Sequence, residues 1–244
     1  MKIYLAGTQG NKGNIVKANS SLNLLESFHY LNDENVQLYK NHNFLLDSGA
    51  FTFMRAAKSN IDWDAYIERY ASFINKHDIK LFFELDIDSI VGIREVERLR
   101  NKLEAITKKK CIPVWHKSRG LQYWEDLCRD YDYIAIGGLV TQEIKRSEYN
   151  IFYSLLKIAK KNKTKVHGLG FTNLKGLTMY QFDSVDSTSW ISGQKYLQFY
   201  TFDGRTLIKS NVNTPNTRGK NPQGRLEYNF NEWVKFCEYA ENNL

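Results

Sequence analysis

Short apolar runs alternate with amphipathic stretches along most of the chain. Strand-like runs fall at residues 3–6, 44–46, 81–85, 112–115, 133–136, 166–169 and 182–185. Between them lie segments of helical period. The clearest places Trp63, Tyr66, Ile67, Tyr70, Phe73 and Ile74 on one face, and others cover 91–106, 124–130, 149–159 and 174–180. Several strands end in Asp or Gly just where the next helix begins. This βα punctuation recurs about seven times, which predicts a parallel sheet covered by helices. Two architectures satisfy it, an open doubly wound sheet and a closed (β/α)8 TIM barrel. Gly7, Gly10 and Gly13 do not form a GxGxxG turn leading into a helix, and the length suits a barrel of ~250 residues. The expected fold is therefore α/β, a (β/α)8 barrel.

The last quarter breaks the rhythm. Residues 196–202 and 205–209 flank Asp203-Gly204, a hairpin signal. A loop over 210–225, rich in Asn, Thr, Gly and Pro, carries the basic residues Arg218, Lys220 and Arg225. Phe230, Trp233, Val234, Phe236, Cys237 and Tyr239 then mark a closing amphipathic helix. Neither a repeat nor a linker interrupts the chain, so a single domain spanning 1–244 is expected, with 196–225 as an embellishment.

Composition refines this picture. The 244 residues carry a formal charge of +7, which favours a polyanionic partner without requiring one. The 3 cysteines, Cys111, Cys128 and Cys237, have no paired spacing, so neither a disulfide framework nor a CxxC zinc site is expected. No run approaches the ~20 apolar residues of a membrane helix. These features predict a cytoplasmic protein that makes no membrane contact.

In a barrel the chemistry belongs at strand C-termini. Those positions hold Asp47, Asp86 and Asp88, His116, Gly137 and Gly138, His167, Asp183 and Asp186. A single such Asp is commonly a helix cap. Carboxylates ending three separate strands converge on one mouth and suit acid–base or nucleophilic work. Asp183 and Asp186 are three apart, so in an extended strand they point to opposite faces and only one can face the barrel axis.

Five segments, in order, carry a more specific signal: LLDSGAF (45–51), FFELDIDS (82–89), IPVWH (112–116), YIAIGGLV (133–140), and VHGLG with YQFDSVDSTSW (166–170, 180–190). Together they resemble the tRNA-guanine transglycosylase superfamily. The DSGAF, GGLV and SVDSTSW forms on a short chain look most like its phage and bacterial members, which insert 7-deazaguanine bases into DNA.

That resemblance implies a (β/α)8 barrel that exchanges guanine for a 7-deazaguanine such as preQ0 through a covalent Asp–C1′ intermediate. Asp47 matches the Asp that moves a proton to and from the exchanged base. The nucleophile matches Asp186 in the phage-like pattern and Asp183 in the tRNA-enzyme pattern, with Asp186 favoured. Asp86 or Asp88 matches the acid that accepts hydrogen bonds from the purine N1–H and 2-amino group. His116, Gly137, Gly138 and Gly168 match positions around the base, and Phe51 and His167 match those that sandwich it. Arg218, Lys220 and Arg225 would hold the nucleic-acid backbone. The Cys-rich zinc cluster of the tRNA enzymes has no counterpart here, so neither metal nor cofactor is expected and DNA is favoured over tRNA. A nucleoside or N-glycoside hydrolase and a non-catalytic nucleic-acid-binding barrel are the remaining alternatives. Family members often pair, and the aromatic closing helix offers a surface for a homodimer.

Overall fold

The structure is a computed structural model that describes residues 1–19, 21–49, 61–191, 198–211 and 222–244. Phe51, Arg218 and Lys220 lie outside the described residues. In chain order the elements are β1 (Lys2–Ala6), α1 (Gly13–Lys17), β2 (Asn23–Ser27), β3 (Asn43–Asp47), α2 (Trp63–Lys76), β4 (Leu81–Phe82), α3 (Asp88–Val91), α4 (Ile93–Thr107), β5 (Val114–Trp115), α5 (Gly120–Asp130), β6 (Tyr133–Ile136), α6 (Ile151–Asn162), β7 (Lys165–Gly168), α7 (Leu174–Met179), β8 (Ser184–Ser187), β9 (Gln198–Phe202), β10 (Leu207–Asn211) and α8 (Pro222–Asn243).

The first eight strands form one parallel sheet in the order β4-β3-β2-β1-β8-β7-β6-β5. It curls until its two ends, β4 and β5, approach each other. The closed barrel expected from the sequence is corrected at this seam, where the ladder is not continuous. A single parallel bridge joins Phe83 to Ile112. Ile112 N–H donates to Phe82 O at 2.8 Å and Glu84 N–H to Ile112 O at 3.1 Å. The next donor on that edge, Val114 N–H, goes to the Glu84 carboxylate at 2.8 Å instead of to a main-chain carbonyl. Glu84 is fully buried there and paired with Arg100 (3.2 Å) and Arg119 (3.3 Å). A charged side chain thus occupies the seam where a ladder would otherwise run.

Side chains alternate across the curled sheet with period two. Tyr4, Ala6, Leu25, Leu45, Phe83, Val114 and Ala135 pack together in its interior. Ile3, Leu5, Leu24, Ile134, Ile136, Val166 and Val185 face the surrounding helices. Helix α2 begins at Asp62, whose carboxylate caps Ala65 N–H at 3.0 Å. It buries Tyr66, Ile67, Tyr70, Ala71 and Ile74, close to the face anticipated from the sequence. Tyr66 and Tyr70 also donate to Ser48 O (2.6 Å) and Phe83 O (3.0 Å), which fixes the ends of β3 and β4 beneath the sheet's mouth.

Strand β2 is absent from the sequence expectation because Asn23 and Glu26 interrupt its apolar run. Both are buried and bonded: Asn43 Nδ2 donates to Asn23 Oδ1 at 2.9 Å, and Glu26 accepts from Thr8 N–H at 2.9 Å. The hairpin β9–β10 is present, but Phe202 pairs with Leu207, so 203–206 turns in place of Asp203-Gly204 alone. Helix α8 starts at Pro222 and therefore contains Arg225, which the sequence placed in a loop. Its Phe230, Trp233 and Phe236 are buried in the main core, and Asn229 and Glu232 accept from Tyr200 N–H (2.9 Å) and Phe202 N–H (2.7 Å). The aromatic face expected to serve a homodimer is thus spent inside the protomer. Among the described residues, no helix is long and apolar enough to cross a membrane.

Candidate active site

A cavity of about 340 Å³ opens at the C-terminal ends of the strands. Asp47, Asp86, His116, Gly137, Gly138 and Asp186 line it, joined by Glu26, Phe83, Leu139, Leu169 and Gly170. Alternation explains the selection. Leu45 faces inward, so Asp47 does too; Val114 and Ala135 likewise bring His116 and Gly137 inward.

The same parity separates Asp183 from Asp186. Val185 faces the helices, so Ser184 and Asp186 point into the sheet's interior. Asp183 precedes β8 at the opposite end of the sheet. It is exposed, and its carboxylate accepts Val166 N–H at 2.8 Å. The catalytic role considered for Asp183 is therefore corrected, because it lies a strand length from the acids at the mouth.

Asp186 is held from below. Its Oδ1 accepts Gly170 N–H at 2.6 Å and His167 Nε2–H at 3.2 Å. A carboxylate on Nε2 fixes the His167 tautomer, so Nδ1 accepts from Ser184 Oγ at 2.6 Å, and Ser184 in turn accepts from Tyr133. His167 is fully buried against Phe83, with ring centroids 5.3 Å apart. The expectation that it sandwiches a base is corrected: it positions Asp186. Gly168 is also displaced from the expected role. It faces the helix side, where a Cβ would meet Phe171 at 3.1 Å and Phe182 and Val185 at 3.3 Å. Gly170, at φ +68°, is the glycine of this segment that reaches the cavity.

Asp47 is held differently. It accepts one N–H, from Gly49 at 3.2 Å. Burial, reinforced by the negative charges of Asp186, Asp86 and Glu26, pushes its carboxyl up to about 7 against the opposing Gly49 bond. Glu26, buried beside Thr8 and Tyr39, is likewise raised by burial.

His116 is clamped between two carboxylates. Nε2 meets Asp86 Oδ1 at 2.7 Å and Nδ1 meets Glu143 Oε2 at 2.9 Å. Burial opposes its charge, but the bond to Asp86 and the charges of Asp86 and Asp88, with Glu143, outweigh it and push the imidazole up to about 9. It is an imidazolium at neutral pH. It lines the cavity with both nitrogens engaged, and its Nε2 orients Asp86. Glu143, itself lowered, also accepts Ser118 N–H at 2.8 Å.

Of the two acids weighed for base recognition, only Asp86 lines the cavity. Asp88 is taken by Arg119 Nε at 3.0 Å. Asp86, Asp88 and His116 bring ligand atoms within 4.8 Å of one another, the grouping among the described residues with metal-like spacing. Each of the three is engaged within the protein, His116 by Asp86 and Glu143 and Asp88 by Arg119.

Two glycines line the cavity beside His116 and Glu143. A Cβ on Gly137 would come within 2.8 Å of the His116 ring and of Val114 Cγ1. Gly138, at φ +78°, would press a Cβ against Glu143 at 3.0 Å. Tyr30 and Val140 stand exposed at the rim, 48% and 61% accessible. Glu26, Glu143, Arg119, Gly170 and Tyr30 were not anticipated from the sequence. A cavity acid in an unrecognised strand or a βα loop carries no spacing signal; for Glu26 the one clue is an acid directly after Leu24-Leu25. No protein-family model matches the chain, and a search of curated proteins finds no match.

Proposed function

We propose that the protein is a nucleobase transglycosylase that exchanges guanine in DNA for a 7-deazaguanine such as preQ0. The observation that carries this reading is the convergence of Asp47, Asp86 and Asp186 on one cavity in three different environments. Carboxylates held by such different partners suit a division into acid–base and anionic roles.

Asp186 Oδ1 is occupied by Gly170 and His167, which leaves Oδ2 for a sugar carbon. In the proposed reaction Oδ2 attacks C1′, the C1′–N9 bond breaks and its electron pair passes to guanine. A nearby anion stabilises the oxocarbenium character that develops at C1′, as in retaining glycosidases. Asp47, near half-protonation at neutral pH, gives its proton to the departing base and takes one from N9 of the incoming base, which displaces Asp186 from C1′. Asp86, turned by its bond to His116, accepts from N1–H and the 2-amino group and so favours guanine-like edges over adenine. Tyr30 at the rim offers a ring to a nucleotide drawn from its stack.

Incubation with labelled guanine tests the assignment. Label should enter duplex DNA, Asp186→Ala should abolish incorporation, and Asp183→Ala should retain it within about threefold. Incorporation into tRNA alone would move the substrate to tRNA. Release of free base without any incoming base would identify a hydrolase, and loss of exchange on Asp183→Ala alone would displace Asp186 as nucleophile.

A further inference from the structure

We infer that the N-terminal end of the sheet, opposite the catalytic mouth, carries a second surface that binds the phosphate backbone of a nucleic acid through Lys157, Lys160, Lys163 and Lys165. The surface is already marked in the sequence. Between Glu148 and Asp183 the chain holds six lysines and no Asp, Glu or Arg, so this stretch supplies nearly all of the +7 net charge.

The fold gathers these lysines instead of dispersing them. Helix α6 runs into β7 with only 163–164 between them, so Lys157, Lys160, Lys163 and Lys165 come to line one open cleft of about 940 Å³. All four are exposed, and among the described residues none enters an ion pair. Lys76, Lys80, Lys102, Lys109, Lys110 and Lys117 elsewhere are each paired with an acid. Asp183 shares the cleft, but its carboxylate holds Val166 N–H. Tyr153 and Met179, 53% and 45% accessible, add apolar surface to its lining.

Four unpaired lysines against the single acidic side chain of Asp183 leave the cleft wall positive, and a concave wall focuses such a field on counter-charge. A protein partner is ordinarily met by mixed signs and shaped contacts. Unpaired lysines on flexible stems suit a uniformly charged, repeating partner, and the phosphodiester backbone is such a partner. Because this cleft and the mouth lie at opposite ends of the strands, one nucleotide cannot occupy both. The surface therefore holds a second segment of nucleic acid and sets binding strength, not base chemistry. It shares with the preceding reading only the class of partner.

Binding of a 30-bp DNA duplex across a salt series tests this with no base exchange involved. The variant Lys157→Gln/Lys160→Gln/Lys163→Gln/Lys165→Gln is compared with a charge-matched control, Lys17→Gln/Lys40→Gln/Lys80→Gln/Lys110→Gln, both checked for parental thermal unfolding. Each phosphate contact contributes about 0.9 to the slope of log K against log salt. The patch variant should lose about 3 from that slope and bind at least tenfold more weakly at 100 mM salt, while the control stays close to the parent. Equal slopes for the two variants would overturn the inference. So would loss of binding to anionic lipid vesicles with duplex binding intact, which would assign the patch to a membrane surface. Failure of exchange chemistry leaves this measurement unaffected, so the two proposals fail separately.

Discussion

Asp47 and Asp186 face one cavity with opposite support. Asp186 accepts two N–H donors, one from a histidine whose other ring nitrogen is held by Ser184. Asp47 accepts one, and burial beside three other acids holds its proton to about pH 7. A carboxyl raised above its unfolded value of 3.8 gives the folded state an extra proton. Stability therefore falls as pH rises from about 4 to 7 and stays reduced above that range. Asp47→Asn removes this penalty and keeps the acceptor for Gly49. Relative to the parent it should be more stable by about 1–3 kcal/mol at pH 8, with little difference at pH 4. Urea unfolding at the two pH values measures this, and a variant destabilised more at pH 8 than at pH 4 would contradict the burial of Asp47. Such single-residue environments are only partly legible in a sequence. The odd–even rule separated Asp183 from Asp186 without naming which one faced inward. Neither the engagement of both His116 nitrogens nor the burial of His167 had any signal along the chain, because Glu143, Asp86 and Ser184 reach them across space.

At the scale of elements, the strand that reads most clearly has two apolar faces, as β6 does with Ile134 and Ile136 on one side and Ala135 on the other. The ones misread carry polar residues satisfied by distant partners. Strand β2 hides because Asn23 and Glu26 look like loop residues until Asn43 and Thr8 meet them. The seam between β4 and β5 hides because Glu84 replaces a main-chain acceptor, which no periodicity reports. Strand–loop junctions are also where the site is most sensitive to added volume. Gly137 directly follows β6, and a methyl there would meet the His116 ring at 2.8 Å, where it has no room. Gly137→Ala should displace His116 from between Asp86 and Glu143, cost about 1–3 kcal/mol and lower exchange at least tenfold. Gly13→Ala, whose Cβ would meet Leu38 at an ordinary 3.4 Å, should change neither by a comparable amount. Thermal unfolding and exchange assays on the two variants make the comparison. Equal, small effects would show that the wall at Gly137 yields and that the His116 clamp is not rigid.

Across the whole molecule, charge is segregated. Acids gather at the C-terminal mouth of the curled sheet, and unpaired lysines gather at its other end. The sequence carried this in its totals and in the acid-free stretch before Asp183, while only the topology brings α6 and the start of β7 to one cleft. The basic residues expected to hold nucleic acid lie largely outside the described residues; of the three, Arg225 is in helix α8. The α/β architecture and the strand-end acids were legible because both follow from local alternation. The seam and the clamps were not, because each depends on which strands become neighbours. The claim that binds these scales together is base exchange in DNA. Mass spectrometry of nucleosides from duplex DNA and from tRNA, each incubated with the protein and preQ0, tests it most directly. A 7-deazaguanine deoxynucleoside appearing in the DNA, with free guanine released in equal amount, is the result the account predicts. DNA left unmodified while the protein is folded would contradict it.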